Sequence, residues 1–600
     1  MSVNPFATYY PENMTFKQIK DFYVDNFVDI ENVVNHNHHI IWGSRGSGKS
    51  MLLKYIEAQC QASSIQELEK HAFTDRPVIP IYFKFANNAF QNPEFCIIDE
   101  NYATLLSEHK MLMSIARVVI SNIQRFNGIE KARIVKYVKH VIRECFGFGI
   151  ENSVKWANEQ CDIEGEPLEW IDCVCKRELD YLRDFLTSTY KKLETKYGGS
   201  ITSYHDFLIP FLSLTKELFG LDDLVFFLLI DEAGKSYEFQ QQILNGWIAC
   251  RDHSLLSIKM TAIRVEYLTF YTPEKWSIQL THDYLESSLE VVNYSKEDYK
   301  KNIKEIVLRR FKSFGISVDN VESFFPRDVD TIKLIDSEKE KLGFEYKSFG
   351  KGKKESFNDY CSRRLMPRVF QILSENKKAP DYSGFDVIVS VSSGIIRNFL
   401  VPAERMYDKV KSINGGKEIL YIPADIQNEV LYNYSKEFYE SIRSRSSFYN
   451  KEEYELLTGL ENLIKSFGRF FRERLLMKSL SEGRVFSFSI KQSEKLNIRE
   501  RRVFQLAEQN AYLQKSFVML KNGAAVEEWY LLSRRLAPFF RLDPTALKGR
   551  LEISSKDIDL AMSDPDAFVM KKINSNVLPN QLSIFDDDLE FVNLEDGDHE

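Results

Sequence analysis

The sequence has few of the features that mark fibrous, disordered or membrane proteins. Its 600 residues include only 26 glycines and 17 prolines, too few for a collagenous or largely disordered chain. No apolar run approaches the roughly 18 residues that a membrane-spanning helix needs, so we expect no membrane association. The first 16 residues contain neither the basic nor the apolar segment of a signal peptide. We therefore expect a cytoplasmic protein.

Cysteine is also scarce and scattered. The chain has 8 cysteines and no C-x-x-C pair, which argues against a secreted disulfide framework and against a zinc finger. Cys173 and Cys175 are closest in sequence, but no His or Cys follows at zinc-ligand spacing. We expect reduced thiols that are mostly buried. With 44% hydrophobic and 28% charged residues, the composition is that of a globular protein with three or four domains of roughly 100 to 200 residues.

Charge is distributed unevenly along the chain. Residues 461–550 hold 18 Lys and Arg against 9 Asp and Glu, a net charge of +9. Residues 551–600 hold 3 against 13, a net charge of −10, which leaves −7 for residues 1–460. A basic segment of this kind suggests a polyanionic partner.

A glycine-rich segment joins a short apolar strand to a helical pattern. The strand His39–Trp42 runs into GSRGSGKS and then into MLLKYI. This is G-x-x-x-x-G-K-[ST] in the strand-to-helix context of a phosphate-binding loop. Loop N–H groups would face the phosphates of ATP, Lys49 would reach the β- and γ-phosphates, and Ser50 would ligate Mg²⁺. The alternative is a glycine-rich turn without a ligand. The predicted nucleotide-binding residues are Gly43, Ser44, Arg45, Gly46, Ser47, Gly48, Lys49 and Ser50.

A second apolar run ends in two acids. Leu224–Ile230 is continuously apolar, as is typical of a parallel strand buried on both faces, and Asp231 and Glu232 follow it. Asp231 would hold Mg²⁺ through water, and Glu232 would polarise the attacking water. The alternative is a core strand that happens to end in two exposed acids.

Three further runs complete a predicted α/β sheet, at Val78–Phe85, Leu255–Ala262 and Glu286–Val292. Thr261 lies at the C-terminal end of its strand, where its hydroxyl can contact the γ-phosphate or the water. A threonine satisfied within its strand explains the residue equally well. About 140 residues separate Val78–Phe85 from the strand that ends in Asp231, and their amphipathic patterns predict an inserted helical layer.

The phosphate loop, the LLIDE strand end and a later GIIRNFL at Gly394–Leu400 together resemble the initiator clade of AAA+ ATPases, the origin-recognition-complex type. The resemblance implies that Arg397 lies in a helical lid and contacts the γ-phosphate; an arginine on the surface of a helix is the alternative. It also implies a homo-oligomer in which an arginine finger reaches a neighbouring subunit. The candidates for that finger are Arg309, Arg310 and Arg251.

The resemblance places a winged helix after the lid, and the C-terminal sequence fits its outline. Predicted helices at 452–477 and 498–513 flank a strand at 484–490, and two strand-like runs surround the turn Lys521-Asn522-Gly523. The alternative is a winged helix that binds protein, with its arginines solvated. The predicted contacts with double-stranded DNA are Arg499, Arg501, Arg502, Lys521, Arg534 and Arg535.

The acidic tail contains the pentapeptide QLSIF. It resembles the sliding-clamp-binding motif of bacteria, in which Gln581 would form a hydrogen bond while Leu582 and Phe585 fill an apolar pocket. A tail that docks on its own protein is the alternative.

These features predict an α/β fold with a parallel P-loop AAA+ sheet and five segments. Within the lid, the charged stretch Asp336–Ser356 is predicted to be a basic loop, solvated rather than bound to DNA. The segments are an N-terminal extension (1–30), the ATPase core (31–315) with a helical insertion at about 95–220, a helical lid with the basic loop (316–445), a winged helix (446–565) and an acidic flexible tail (566–600).

The leading hypothesis is a Mg²⁺-dependent AAA+ ATPase of the initiator type that binds DNA. It would couple ATP binding and hydrolysis to DNA loading or remodelling, in anti-phage defence or a mobile element by analogy. The alternative hypothesis is a signalling P-loop ATPase that senses an intruder and activates an effector protein encoded nearby.

Overall fold

A computed structural model describes most of residues 4–574. The ranges outside the description are 8–9, 26–28, 71–72, 86–91, 148, 192–196, 290–295, 319, 350–355, 416, 444–449, 478–484, 520–525 and 546–548. The clamp-motif residues Gln581, Leu582 and Phe585, and the predicted DNA contact Lys521, lie outside the described residues. Among the described residues, no helix is long and apolar enough to cross a membrane.

The central sheet has five parallel strands within the described residues, at the positions that the apolar runs predict. Their order is β2-β3-β4-β1-β5, so β4 lies between the strand that leads into the phosphate loop and the strand that ends in the two acids. All carboxyl ends therefore meet at one edge of the sheet. The strands are β1 (His39–Trp42), β2 (Val78–Lys84), β3 (Val225–Asp231), β4 (Leu256–Ala262) and β5 (Leu285–Ser288).

Side chains of the sheet alternate between two hydrophobic cores. Val225, Phe227 and Leu229 face one core, whereas Phe226 and Leu228 face the other. Burial on both faces explains why the sequence of β3 is continuously apolar. The first core continues into the lid and the C-terminal residues, and the second is covered by the helical insertion.

The helices of the N-terminal half surround this sheet. The predicted insertion between β2 and β3 is helical, as its amphipathic patterns indicate. Asp99 caps its first long helix by accepting hydrogen bonds from the amides of Asn101 and Tyr102. The helices are α1 (Phe16–Phe22), α2 (Ile30–Val33), α3 (Lys49–Gln59), α4 (Ile65–Glu69), α5 (Glu100–Gln124), α6 (Lys131–Cys145), α7 (Glu151–Gln160), α8 (Pro167–Tyr190), α9 (Ile209–Phe219) and α10 (Glu238–Ala249).

Residues 296–440, which comprise one further helix of the predicted core and most of the predicted lid (316–445), are helical. The loop predicted from Asp336 is wrong for residues 336–349, because these residues belong to one long helix. Leu342 packs there on Tyr360 and Cys361 of the following helix, and this small core stabilises the charged stretch as a helix. The last helix of the predicted core is α11 (Lys296–Ser313), and the lid helices are α12 (Val321–Phe324), α13 (Val329–Phe349), α14 (Phe357–Glu375), α15 (Phe385–Val391), α16 (Ile396–Ile413) and α17 (Ala424–Glu440).

The C-terminal module, defined as residues 451–574, combines helices with a small sheet of order β7-β8-β6-β9. The predicted hairpin is present as the antiparallel pair β7–β8, and β9, which pairs parallel to β6, was not predicted. Tyr382 ties the lid to this module by donating to the carbonyls of Ala537 and Leu542, both at 3.0 Å. The elements are α18 (Lys451–Leu476), β6 (Val485–Lys491), α19 (Ile498–Gln509), β7 (Leu513–Met519), β8 (Val526–Leu532), α20 (Ala537–Phe540), β9 (Gly549–Ser554), α21 (Ser555–Ser563) and α22 (Pro565–Asn574).

Candidate nucleotide-binding site

The glycine-rich loop connects β1 to α3 at the carboxyl edge of the sheet. Gly46 and Gly48 have φ angles of +84° and +107°, which side chains disfavour. A Cβ atom at Gly46 would lie 2.8 Å from the Cβ atom of Arg397 in the lid. Glycine is therefore required at Gly46 both by the backbone conformation and by the close approach of the lid.

Lys49 and Ser47 give the loop the chemistry of a phosphate site. The Lys49 ammonium donates to the carbonyls of Gly43 at 2.6 Å and Ser44 at 2.9 Å, so it lies along the loop. The hydroxyl of Ser47 is buried without a hydrogen-bond partner in the described part of the chain. A cation, an unpartnered hydroxyl and the N-terminus of α3 together fit a phosphate group.

Both oxygens of the Asp231 carboxylate accept hydrogen bonds from neighbouring strands. Thr261 on β4 donates to Oδ1 at 2.6 Å, and Tyr82 on β2 donates to Oδ2 at 2.9 Å. Burial and the adjacent carboxylate raise the pKa of Tyr82, so its hydroxyl remains a donor. Asp231 is fully buried and is held in one orientation by these two donors. Tyr82 was not predicted, because its role depends on the pairing of β2 with β3.

Thr261 also receives a hydrogen bond from the amide of Glu232, at 3.1 Å to its hydroxyl. The residue is fully buried. Sequence analysis expected its hydroxyl to contact the γ-phosphate or water, or to be satisfied within the strand. The hydroxyl is satisfied by these two hydrogen bonds, which link the metal-binding candidate Asp231 to the backbone of the base candidate Glu232.

Glu232 has an unusual backbone for a residue with a side chain. Its φ angle is +59°, a left-handed conformation that is strained and often found at functional sites. The ammonium of Lys235 lies 2.9 Å from Oε2 of this carboxylate. Lys235 also lines the cavity beside the loop. Lys235 was not predicted, although its position three residues after Glu232 could have indicated an ion pair across the turn.

Arg397 is brought from the lid to the phosphate loop. Its amide, in the first turn of α16, donates to the carbonyl of Gly46 at 3.2 Å, and its guanidinium lies 4.8 Å from the ring centroid of Tyr10. The loop, Glu232, the lid and the N-terminal segment thus line one cavity of about 300 Å³. Residues that line it include Pro11, Tyr23, Lys49, Ser50, Glu232, Lys235, Arg310 and Arg397.

The N-terminal segment crosses this site. Glu12 forms an ion pair with Lys84, the last residue of β2. Burial opposes the charged form of Glu12, but the hydrogen bond from Lys84 and the charges of Lys84 and Arg397 outweigh it and lower the pKa of Glu12. The segment therefore contributes charge as well as shape to the site.

The three arginine-finger candidates all have partners within their own chain. Arg310 is only 3% exposed and donates to the carbonyl of Pro5 at 2.9 Å, so burial prevents it from reaching a neighbouring subunit. Arg309 contacts the carbonyl of Tyr23. Arg251 forms an ion pair with Asp283 at 2.8 Å, although its side chain remains 46% exposed.

The arginines predicted to contact DNA lie in the C-terminal module, but several are engaged inside the protein. Arg501 donates to the carbonyls of Leu496 at 2.9 Å and Glu494 at 2.8 Å, ahead of α19. Arg502 pairs with Glu452 of α18, and Arg499 donates to the carbonyl of Glu455 at 3.3 Å. All three side chains nevertheless keep exposed surface.

Arg535 is placed differently from the surface position that sequence analysis predicted. Its guanidinium lies 3.6 Å from the ring centroid of Tyr434 and 4.1 Å from that of Phe438, both on α17. Burial lowers its pKa. Arg535 therefore joins the C-terminal module to the lid, because its planar cation stacks on two aromatic rings. We withdraw it as a DNA contact.

A family model described as ORC-CDC6-like matches residues 4–366 and also residues 337–553, which together span most of the chain. No curated protein matches the sequence.

The bridging role of Thr261 can be tested with a substitution that keeps its shape. Thr261→Val should leave the fold intact but remove the donor to Asp231 and the acceptor for the Glu232 amide. Losing these buried hydrogen bonds should lower kcat for ATP hydrolysis by about 10- to 100-fold. Thr261→Ser, which retains the hydroxyl, should recover most of the rate in a steady-state ATPase assay. A Val variant with the wild-type rate would show that this bridge is dispensable.

Proposed function

This chain belongs to the ORC-CDC6-like family of initiator-type AAA+ ATPases, and we propose that it hydrolyses ATP between its phosphate loop and its lid. The observation that carries the proposal is the convergence of Lys49, Glu232 and Arg397 on one cavity. These residues come from α3, the end of β3 and the lid, so only the folded chain assembles them. We propose further that the work of hydrolysis is the loading or remodelling of DNA.

In this proposal each residue has one role. Lys49 and the loop amides bind the β- and γ-phosphates, and Glu232 orients and polarises the attacking water. Ser50 and Asp231 would hold Mg²⁺, which neutralises phosphate charge when it is bound. The buried donors Thr261 and Tyr82 keep the Asp231 carboxylate oriented for that purpose.

Arg397 is proposed to contact the γ-phosphate from the lid. Its backbone is already fixed on the loop by the hydrogen bond to Gly46. Lys235 is proposed to control Glu232, because a nearby ammonium competes with water for the carboxylate. Two of the residues proposed to act in hydrolysis, Glu232 and Arg397, thus have partners within the chain.

Further parts of the proposal concern organisation and partners. We propose the five segments predicted above, with residues 446–565 as a winged helix, because a helix, a second helix and a hairpin occur there in that order. We also propose a cytoplasmic homo-oligomer, a sliding-clamp contact by Gln581, Leu582 and Phe585, and a role in anti-phage defence or a mobile element. These proposals rest on the sequence and on family resemblance.

The catalytic assignment predicts different defects for two variants. Lys49→Ala should weaken ATP binding by about 100-fold, because the phosphates lose charge-assisted hydrogen bonds. Glu232→Gln should bind ATP normally but lower kcat by about 10²- to 10⁴-fold. Calorimetry gives the affinities and phosphate release gives the rates.

The matched control is Glu238→Gln, which neutralises an exposed acid in the first turn of α10. It should change neither property. Tight ATP binding by Lys49→Ala would refute the phosphate-loop assignment. Normal turnover by Glu232→Gln would mean that another group activates the water.

A second candidate function is supported by the position of α19. This helix packs on the turn after β4, where Gln505 donates to the carbonyl of Val265 at 3.4 Å. A helix held against the ATPase core is suited to transmit a signal within the protein. We therefore propose, as the alternative, a signalling ATPase that activates a separate effector protein.

The two candidates differ in how DNA binding should depend on salt. If Arg499 and Arg501 contact phosphates, changing both to Gln should reduce the slope of log affinity against log salt by about 1.8, at roughly 0.9 per contact. Full-length protein and duplex DNA are titrated at several salt concentrations. Lys377→Gln with Lys378→Gln removes the same charge from the exposed segment just after α14 and serves as control. Equal slopes for all proteins would favour the signalling alternative.

A further inference from the structure

The segment between α15 and α16 is strained and short. Ser393 has a φ angle of +54° and the next residue, Gly394, has one of +76°. A left-handed conformation is unfavourable for serine and persists only when its surroundings fix it. Ser393 is 2% exposed, so those surroundings are protein.

Two residues of the C-terminal module fix Ser393. The side-chain amide of Gln514, on β7, donates to the Ser393 carbonyl at 3.0 Å. The backbone amide of Arg534, just after β8, donates to the Ser393 hydroxyl at 3.1 Å. The carbonyl and the hydroxyl of Ser393 therefore both accept hydrogen bonds from the C-terminal module.

The other side of this segment reaches the phosphate loop. Ile395 and Arg397 follow within four residues, and a Cβ atom at Gly46 would meet both of them, at 3.1 Å and 2.8 Å. The amide of Arg397 is hydrogen-bonded to Gly46. Only Gly394 and Ile395 separate Ser393 from α16. A displacement of Ser393 would therefore also move the first turn of α16.

A second set of contacts encloses the same turn. The Asn398 side chain donates to the Ser392 carbonyl at 3.3 Å and accepts from the Tyr434 hydroxyl at 3.1 Å. Tyr434 is the residue on which Arg535 of the C-terminal module stacks. The module therefore contacts the start of α16 directly through Ser393 and indirectly through Tyr434.

We propose that Ser393 is a positioning residue for Arg397, and that Gln514 and Arg534 hold it in place. The C-terminal module then sets the affinity of the site for the γ-phosphate without touching the nucleotide. This inference rests on the proposed contact between Arg397 and the γ-phosphate. It makes ATP binding and any ligand that shifts the C-terminal module thermodynamically linked.

The experiment compares ATP with ADP, because only ATP carries the phosphate that Arg397 would contact. Ser393→Ala keeps a side chain but removes the hydroxyl acceptor, and Gln514→Ala removes the amide donor. The double variant should lose about tenfold in ATP affinity, from two neutral hydrogen bonds, while its ADP affinity stays within twofold of wild type. Calorimetry with Mg²⁺ measures both affinities.

Gln509→Ala is the matched control. It removes an amide from α19 of the same module, and among the described residues that amide has no hydrogen-bond partner in the lid. It should leave both affinities unchanged. The melting temperature of each variant without nucleotide shows whether the substitution destabilises the whole protein or only alters the position of Arg397. Equal loss of ATP and ADP affinity, or a lower melting temperature with both affinities intact, would overturn the inference.

Arg397→Ala distinguishes this inference from the proposed function on which it rests. If that variant binds ATP and ADP like wild type, the proposed role of Arg397 fails. If it loses ATP affinity selectively while the Ser393 and Gln514 variants do not, only the coupling fails.

Discussion

The organisation of the site depends on how closely the lid approaches the phosphate loop. The amide of Arg397 donates to the carbonyl of Gly46, and there is no room at Gly46 for even one additional carbon atom. Glycine at this position allows both the positive φ angle of the phosphate loop and the close contact with α16. A side chain there would push the lid away and separate Arg397 from Lys49. The contact between loop and lid therefore makes one site out of two distant segments of sequence.

The acids depend on a different constraint, the order of the strands. Because β4 lies between β1 and β3, Thr261 is next to Asp231 and joins it to the Glu232 backbone. Tyr82 completes the arrangement from β2 on the opposite side. Hydrogen bonds to both of its oxygens offset part of the cost of burying the Asp231 carboxylate. Orientation of the metal-binding candidate is thus a property of the sheet.

Short sequence patterns predicted those parts of the site that are formed by contiguous residues. The phosphate loop and the apolar strand before Asp231 were found because strand, loop and acid are contiguous. Lys235 and Tyr82 were missed, since their roles arise from contacts that only the folded chain makes. Arg535 was assigned to DNA because a solvated arginine and one stacked on Tyr434 look alike in sequence. Residues 336–349 were predicted as a loop because they are rich in charged residues. The packing of Leu342 on Tyr360, which stabilises them as a helix, cannot be seen in the sequence.

The lid and the phosphate loop are proposed to form one site, in which Arg397 contacts the γ-phosphate. Hydrogen–deuterium exchange tests it directly, because protection of backbone amides reports local opening. With Mg²⁺ and a non-hydrolysable ATP analogue, peptides covering residues 43–52 and 395–400 should both become protected. With ADP, only residues 43–52 should gain protection. Equal protection of residues 395–400 by the two nucleotides, or none with either, would contradict the account.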